Sequence, residues 1–324
     1  MNIRNIITKA AREAGRRAAA RIKGALPLII GLALALGITA AQADTNWLGG
    51  NGNWDPGNWS NGLPGFVTGA TAIDGGVTVT IQSGVNAAAQ WLALSGEATL
   101  VVEAGASLTL TNAFANVGMG MTNGAGQGHL VVNGGSVTAL DIFFTDPWGT
   151  AGEGGSLTVN GGSVVVNNIY SRNAATATVN LNGGVLQVNN GLNFNPSVGV
   201  GAKLDIVFGL TSKTETGKLD TLAASLINNV TFTFNLTGLS LNTGAIEAFD
   251  FQIVTGAALG NFDLGENDFT LKMADGWQMV ESSFNYNQAT GKVSFELEYI
   301  PEPSTWALML GGLGALALLR RRRA

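Results

Sequence analysis

The stretch Gly126-Gln127-Gly128-His129-Leu130-Val131-Val132-Asn133-Gly134-Gly135-Ser136-Val137-Thr138 decides the fold. It returns as Gly155-Ser156-Leu157-Thr158-Val159-Asn160-Gly161-Gly162-Ser163-Val164-Val165. A weaker third copy, Thr178 to Val188, keeps Asn182-Gly183-Gly184 and lacks the leading glycines. The glycine pairs begin at 134, 161 and 183, spacings of 27 and 22 residues, and periods of about 20 to 50 residues signal a stacked architecture. Leu130 and Val132, or Leu157 and Val159, sit at alternate positions and share one face of a strand. Asn-Gly-Gly then supplies the bend, because glycine tolerates positive φ. One such repeat cannot bury its apolar face, whereas a stack can. The expectation is an all-β chain with a parallel β-helix or solenoid over residues 66–202. A β-sandwich of hairpins is the competing arrangement, since Asn-Gly and Gly-Gly also mark two-residue turns.

Outward from the repeats, Val77–Ile81, Ala98–Val102 and Ser107–Thr111 read as further short strands. Upstream, residues 44–65 place Trp47, Trp54 and Trp59 among Gly, Asn and Pro. Two roles suit them: a stacking platform for sugar rings, making these three the candidate carbohydrate contacts, or a cap over the open end of the stack. Downstream, residues 203–300 lose the glycine pairs. Phe232, Phe234 and Leu236 alternate with Thr231, Thr233 and Asn235, and Val293, Phe295, Leu297 and Tyr299 alternate with polar residues. Such alternation predicts half-buried strands, read here as an antiparallel C-terminal β region. Ser282–Tyr286 and Lys292–Tyr299 are expected to form a hairpin across residues 287–291.

The two ends have different chemistry. Residues 1–43 combine a basic start, an apolar run from Ala25 to Ala40, and Ala41-Gln42-Ala43. This predicts a signal peptide recognised through Ala41 and Ala43 and cut before Asp44 by signal peptidase. Arg16-Arg17 hints at twin-arginine export, but Ala18-Ala19-Ala20-Arg21 lacks the hydrophobic pattern, so general secretion is preferred. Residues 301–324 read Pro301-Glu302-Pro303-Ser304-Thr305, an apolar run Trp306–Leu319, then Arg320, Arg321, Arg322 and Arg323. The 14-residue run is shorter than the ~20 that usually span a bilayer. A short, marginally inserting transmembrane helix is expected, its arginines held in the cytoplasm.

This three-part tail resembles the PEP-CTERM sorting signal of Gram-negative bacteria. The resemblance implies export across the inner membrane, processing near Pro301-Glu302-Pro303 by an exosortase, and delivery to the cell surface or an exopolysaccharide matrix. It covers about 24 residues and is an address. The body resembles exported bacterial proteins with autotransporter-like β repeats. The W-x-G…NW opening, the G-x-G-x-L-x-V-x-G-G repeat and Leu219-Asp220-Thr221-Leu222 carry that likeness, which implies a structural role.

Composition narrows the chemistry. Cysteine is absent and there is one histidine, which excludes thiolate catalysis, disulfides and two-histidine metal sites. Between Asp44 and Ile300, 6 Lys+Arg stand against 20 Asp+Glu, a net −14. That argues against nucleic-acid partners, which are held mainly by Lys and Arg. Glycoside hydrolysis needs two placed carboxylates. Asp141, Asp146 and Glu153, near Trp148 and His129, form the best enzymatic cluster, with a surface loop as its plain alternative. Asp263, Glu266 and Asp268 lack the EF-hand spacing and read as an acidic turn. No catalytic, metal or cofactor site is expected. The chain reads as a non-catalytic exported surface or matrix protein, with a carbohydrate-binding or carbohydrate-active β-helix as the runner-up.

Overall fold

The computed structural model describes residues 44–66, 69–110, 116–119, 127–144, 154–170, 176–193, 203–221, 230–255, 268–300 and 303–321. Its strands pair from one repeat to the next, parallel and largely in register, along three ladders. The first runs through Thr45–Asn46, Ala70–Ile73, Trp91–Leu94, Asn116–Met119, Asp141–Phe143, 168–170 and 191–193. The second runs through Gly52–Asn53, Thr78–Ile81, Ala98–Glu103, 128–133, 156–159, Thr176–Leu181, Lys203–Gly209, Val230–Asn235 and Phe269–Lys272. The third runs through Asn86–Ala88, Ser107–Thr109, 136–138, 163–166, 185–188, Lys218–Thr221 and Val254–Thr255. The strand Ser156–Tyr170 bends twice and serves all three.

The repeat spacing is the pairing register: His129 lies opposite Ser156 and Ser156 opposite Thr178. Leu130, Val132, Leu157, Val159, Val179 and Leu181 are fully buried, as their alternation requires. Each such side chain stabilises the stack by about 1.5–3 kcal/mol. Glycine is compulsory at the bend. Gly162 has φ 76°, and a Cβ there would lie 2.0 Å from the Gly135 carbonyl oxygen. Gly184, at φ 69°, would meet the Gly162 carbonyl at 2.5 Å.

The C-terminal region differs from its sequence reading. Lys203–Gly209, Val230–Asn235 and Phe269–Lys272 extend the second parallel ladder. Phe232 and Phe234 are buried as their alternation requires and Thr233 between them is buried as well, a pattern a parallel stack satisfies as well as an antiparallel sheet does. The antiparallel sheet is confined to Glu247–Gln252, Lys292–Tyr299, Trp277–Met279 and Asn285–Asn287. The expected hairpin is present with a shorter first arm, closed by Gly291 N–H on the Asn287 carbonyl at 2.8 Å. Aromatic packing joins the two sheets. Phe234 stacks on Phe269 at 5.2 Å and meets Phe251 edge-on at 5.1 Å, while Phe249 stacks on Phe295 at 4.9 Å.

The tail forms one helix, α1 (Pro303–Arg321), with Arg320 and Arg321 in its last turn, where cations suit the helix dipole. Leu308, Leu310, Leu313 and Leu316 are exposed. The expectation of a short transmembrane helix needs correcting. At 1.5 Å per residue the apolar run measures roughly 21 Å against a hydrocarbon core of about 30 Å. Among the described residues no helix is long and apolar enough to cross a membrane.

Candidate functional site

The three tryptophans come together, but not as a platform. Trp47, Trp54 and Trp59 are 9%, 3% and 5% exposed and belong to the hydrophobic core. Trp59 lies between the other two, 5.1 Å from Trp47 and 4.7 Å from Trp54, edge to face in both cases. Trp47 and Trp59 are also bridged through their backbones, and Trp47 Nε1 donates to the Gly50 carbonyl at 2.9 Å. Stacking on a sugar needs an open ring face, and these faces are covered by protein. The sugar-platform reading is therefore corrected.

The enzymatic cluster is only partly visible, since Asp146, Trp148 and Glu153 lie outside the described residues. Asp141 is half-buried and accepts from Asn168 Nδ2 at 2.7 Å; burial pushes its carboxyl up. His129 is elsewhere, on the second ladder, bonded through Nδ1 to Ser156 Oγ at 2.8 Å, with Nε2 3.3 Å from Glu97. The Gln127 backbone N–H and His129 hold the Glu97 carboxyl below its usual range. Serine, histidine and carboxylate thus stand on successive rungs. Nucleophilic chemistry also needs oxyanion donors and a cavity beside the serine. The two cavities at the Asn-Gly-Gly bend are lined by other residues. Asp263 and Glu266 lie outside the described residues, and among those described no group of three or more potential ligands is placed to hold a metal.

What the sequence reading missed is the polar edge at the Asn-Gly-Gly bend. Asn182 Nδ2 donates to Asn160 Oδ1 at 2.8 Å, Asn160 Nδ2 to Asn133 Oδ1 at 2.9 Å, and Asn133 Nδ2 to Glu103 Oε1 at 3.2 Å. The ladder ends on a carboxylate, which only accepts. Beside it runs a second column in direct register: Asn86, Ser107, Ser136, Ser163, Val185, Lys218. Glycines floor the space between the columns. A cavity of about 400 Å³ lies over Gly105, Gly134, Gly135 and Gly162. One of about 700 Å³ follows over Gly183 and Gly184, bordered by Thr216, Lys218 and the Asp250–Lys292 pair, whose charged atoms are 3.5 Å apart. The signal was present in the sequence, as asparagine before the three glycine pairs of the repeats and serine after two of them.

The tail supplies the address. Pro303 opens helix α1; Pro301, Glu302, Arg322 and Arg323 lie outside the described residues, as do Ala41 and Ala43 at the expected signal cleavage point. Searches of the curated proteins and of the solved structures find no match to this chain. Residues 300–323 do match the family described as the PEP-CTERM protein-sorting motif, so this chain carries a PEP-CTERM sorting motif at its C-terminus.

Proposed function

We propose that this protein is an exported, non-catalytic scaffold of the cell surface or an exopolysaccharide matrix, targeted by its tail and processed by an exosortase. The observation that carries the reading is the sorting motif at residues 300–323 joined to a strand stack. In this reading the three parallel ladders close into a β-solenoid, with the indole cluster as its N-terminal cap and the antiparallel sheet covering its far end. Both devices meet the need to protect strand edges from pairing with other chains. A signal peptide over residues 1–43 would deliver the chain to the exosortase. A stack held by in-register ladders and glycine bends offers a rigid spacer rather than a mobile active site.

Mass spectrometry of both termini, on protein from separated membrane, surface and medium fractions of the native host, tests this. The expected species starts at Asp44, lacks Trp306–Ala324 and is found at the surface or outside. A chain that keeps Arg320–Arg323 in the inner membrane overturns it.

A further inference from the structure

We infer that the Asn/Ser edge is a binding trough for an extended, neutral polysaccharide lying along the stack. The inference goes beyond export and rests on the stacked body alone, so it can fail without touching the sorting reading. Its first support is spare hydrogen-bonding capacity. Asn133, Asn160 and Asn182 each use one amide N–H within the ladder, and a primary amide has two. Asn160 and Asn182, which line the larger cavity, thus keep a donor beside the trough. On the other wall, the half-buried hydroxyls of Ser136 and Ser163 carry no hydrogen bond among the described residues, whereas Ser107 Oγ, one rung before them, donates to Asn86 Oδ1 at 2.7 Å.

The second support is periodicity. The column from Asn86 to Lys218 contains five pairing steps, and strands are spaced about 4.8 Å apart, giving a trough of roughly 24 Å. That step is close to the advance of one sugar in an extended glycan. A polymer with hydroxyls at each such step meets the Ser136 and Ser163 hydroxyls on two successive rungs over the smaller cavity and the Asn160 and Asn182 amides at the larger one. The third support is the floor: glycine lets the ligand approach the backbone with no side chain between.

The chemistry favours a glycan over the alternatives. An extended peptide would seek unpaired strand edges, whereas the inner rungs bond to a neighbour on either side. The lining side chains are mostly amides, hydroxyls and charged groups, with Ala106 and Phe251 among them. Charge at the larger cavity is balanced, with Lys218 and Lys292 against Glu215 and Asp250, and a body of net −14 disfavours polyanions.

Affinity electrophoresis of the full chain in mild detergent tests this, using gels cast with hydroxyethyl cellulose, with dextran, or with alginate. Hydroxyethyl cellulose is expected to retard the protein, and the double variant Ser136→Ala/Ser163→Ala to bind roughly tenfold more weakly for two lost hydrogen bonds. Ser163→Tyr, which fills the trough, should abolish retardation. Gln278→Ala, on the antiparallel sheet and outside both cavities, should bind as the parent does. No retardation by either neutral glycan, retardation by alginate alone, or equal retardation of parent and double variant each overturns the inference.

Discussion

Asn182 donates to Asn160 across 22 residues of chain, and Asn160 to Asn133 across 27. These are the spacings of the glycine pairs, so one sequence period fixes both the bend and the hydrogen-bonded column outside it. The column has a direction, because every amide donates toward Glu103.

Direction makes the ladder testable by charge. Asn133→Asp removes the donor to Glu103 and sets two carboxylates face to face, where they cannot both ionise without cost. The loss at pH 7 is expected to be about 1–3 kcal/mol, shrinking as acid protonates the pair. Asn182→Asp, at the other end, faces no carboxylate in the ladder and should lose less. Thermal unfolding followed by circular dichroism at pH 7 and in mild acid reads both. Equal losses at both pH values would contradict a directed ladder.

The bend rests on glycine for two reasons at once, positive φ and the absence of a Cβ. Gly162→Ala and Gly184→Ala violate both and are expected to cost well over ~1 kcal/mol each. Gly191→Ala meets nothing within 4 Å and has no positive φ, so it should be neutral or stabilising by about 0.5 kcal/mol. Urea midpoints of the three variants give the comparison. A neutral Gly162→Ala would mean the rungs are further apart than described.

Acid should weaken the C-terminal sheet through Glu247. This buried carboxylate is held below its usual range, first by the Lys213 ammonium and then by the Asn242 N–H at 2.6 Å. A depressed folded-state pKa contributes stability above the unfolded value, and that stability is lost as pH falls through the folded one. Stability should therefore decline below the ordinary carboxylate range. Glu247→Gln is expected to be less stable at pH 7 and to show a flatter acid limb in unfolding titrations. An unchanged acid limb would remove Glu247 from the account.

Asp141 has the opposite sign. Burial raises its pKa, so ionising this carboxyl costs the fold stability above the ordinary carboxylate range. Asp141→Asn keeps an oxygen for the Asn168 amide and removes the charge. It is expected to match or exceed the parent in melting temperature at pH 7, with the advantage vanishing in acid. A marked loss at pH 7 would show that the carboxylate is needed in its charged form.

Much of the body was legible because two signals coincided. Alternation placed Leu130, Val132, Leu157 and Val159 inward, and the glycine-pair spacing fixed the pairing register. Phe232 and Phe234 misled because period-two alternation reports which face is buried and carries no strand direction. Their parallel partners are Ile206 and Phe208, upstream, and Phe269 and Leu271, downstream. The polar edge stayed hidden for a related reason. Asn133, Asn160 and Asn182 each looked like a turn residue, and only stacking reveals that they bond to one another. Trp47, Trp54 and Trp59 showed the converse, since a cluster of indoles in sequence does not disclose whether its faces are covered.

Substitution within the indole cluster separates a cap from a ligand site. Trp59 touches both of its partners, and Phe/Trp→Ala changes in cores cost about 3–5 kcal/mol. Trp59→Ala should lower the denaturant midpoint strongly and expose the amides of residues 45–47 and 70–73, whose strands pair beside it. Hydrogen exchange reads that fraying directly. Retardation by hydroxyethyl cellulose should persist under native conditions, because the trough lies rungs away over Gly134 to Gly184. If the variant instead keeps its midpoint and its slow amides yet loses glycan binding, the indole is a ligand contact and the trough is not the site.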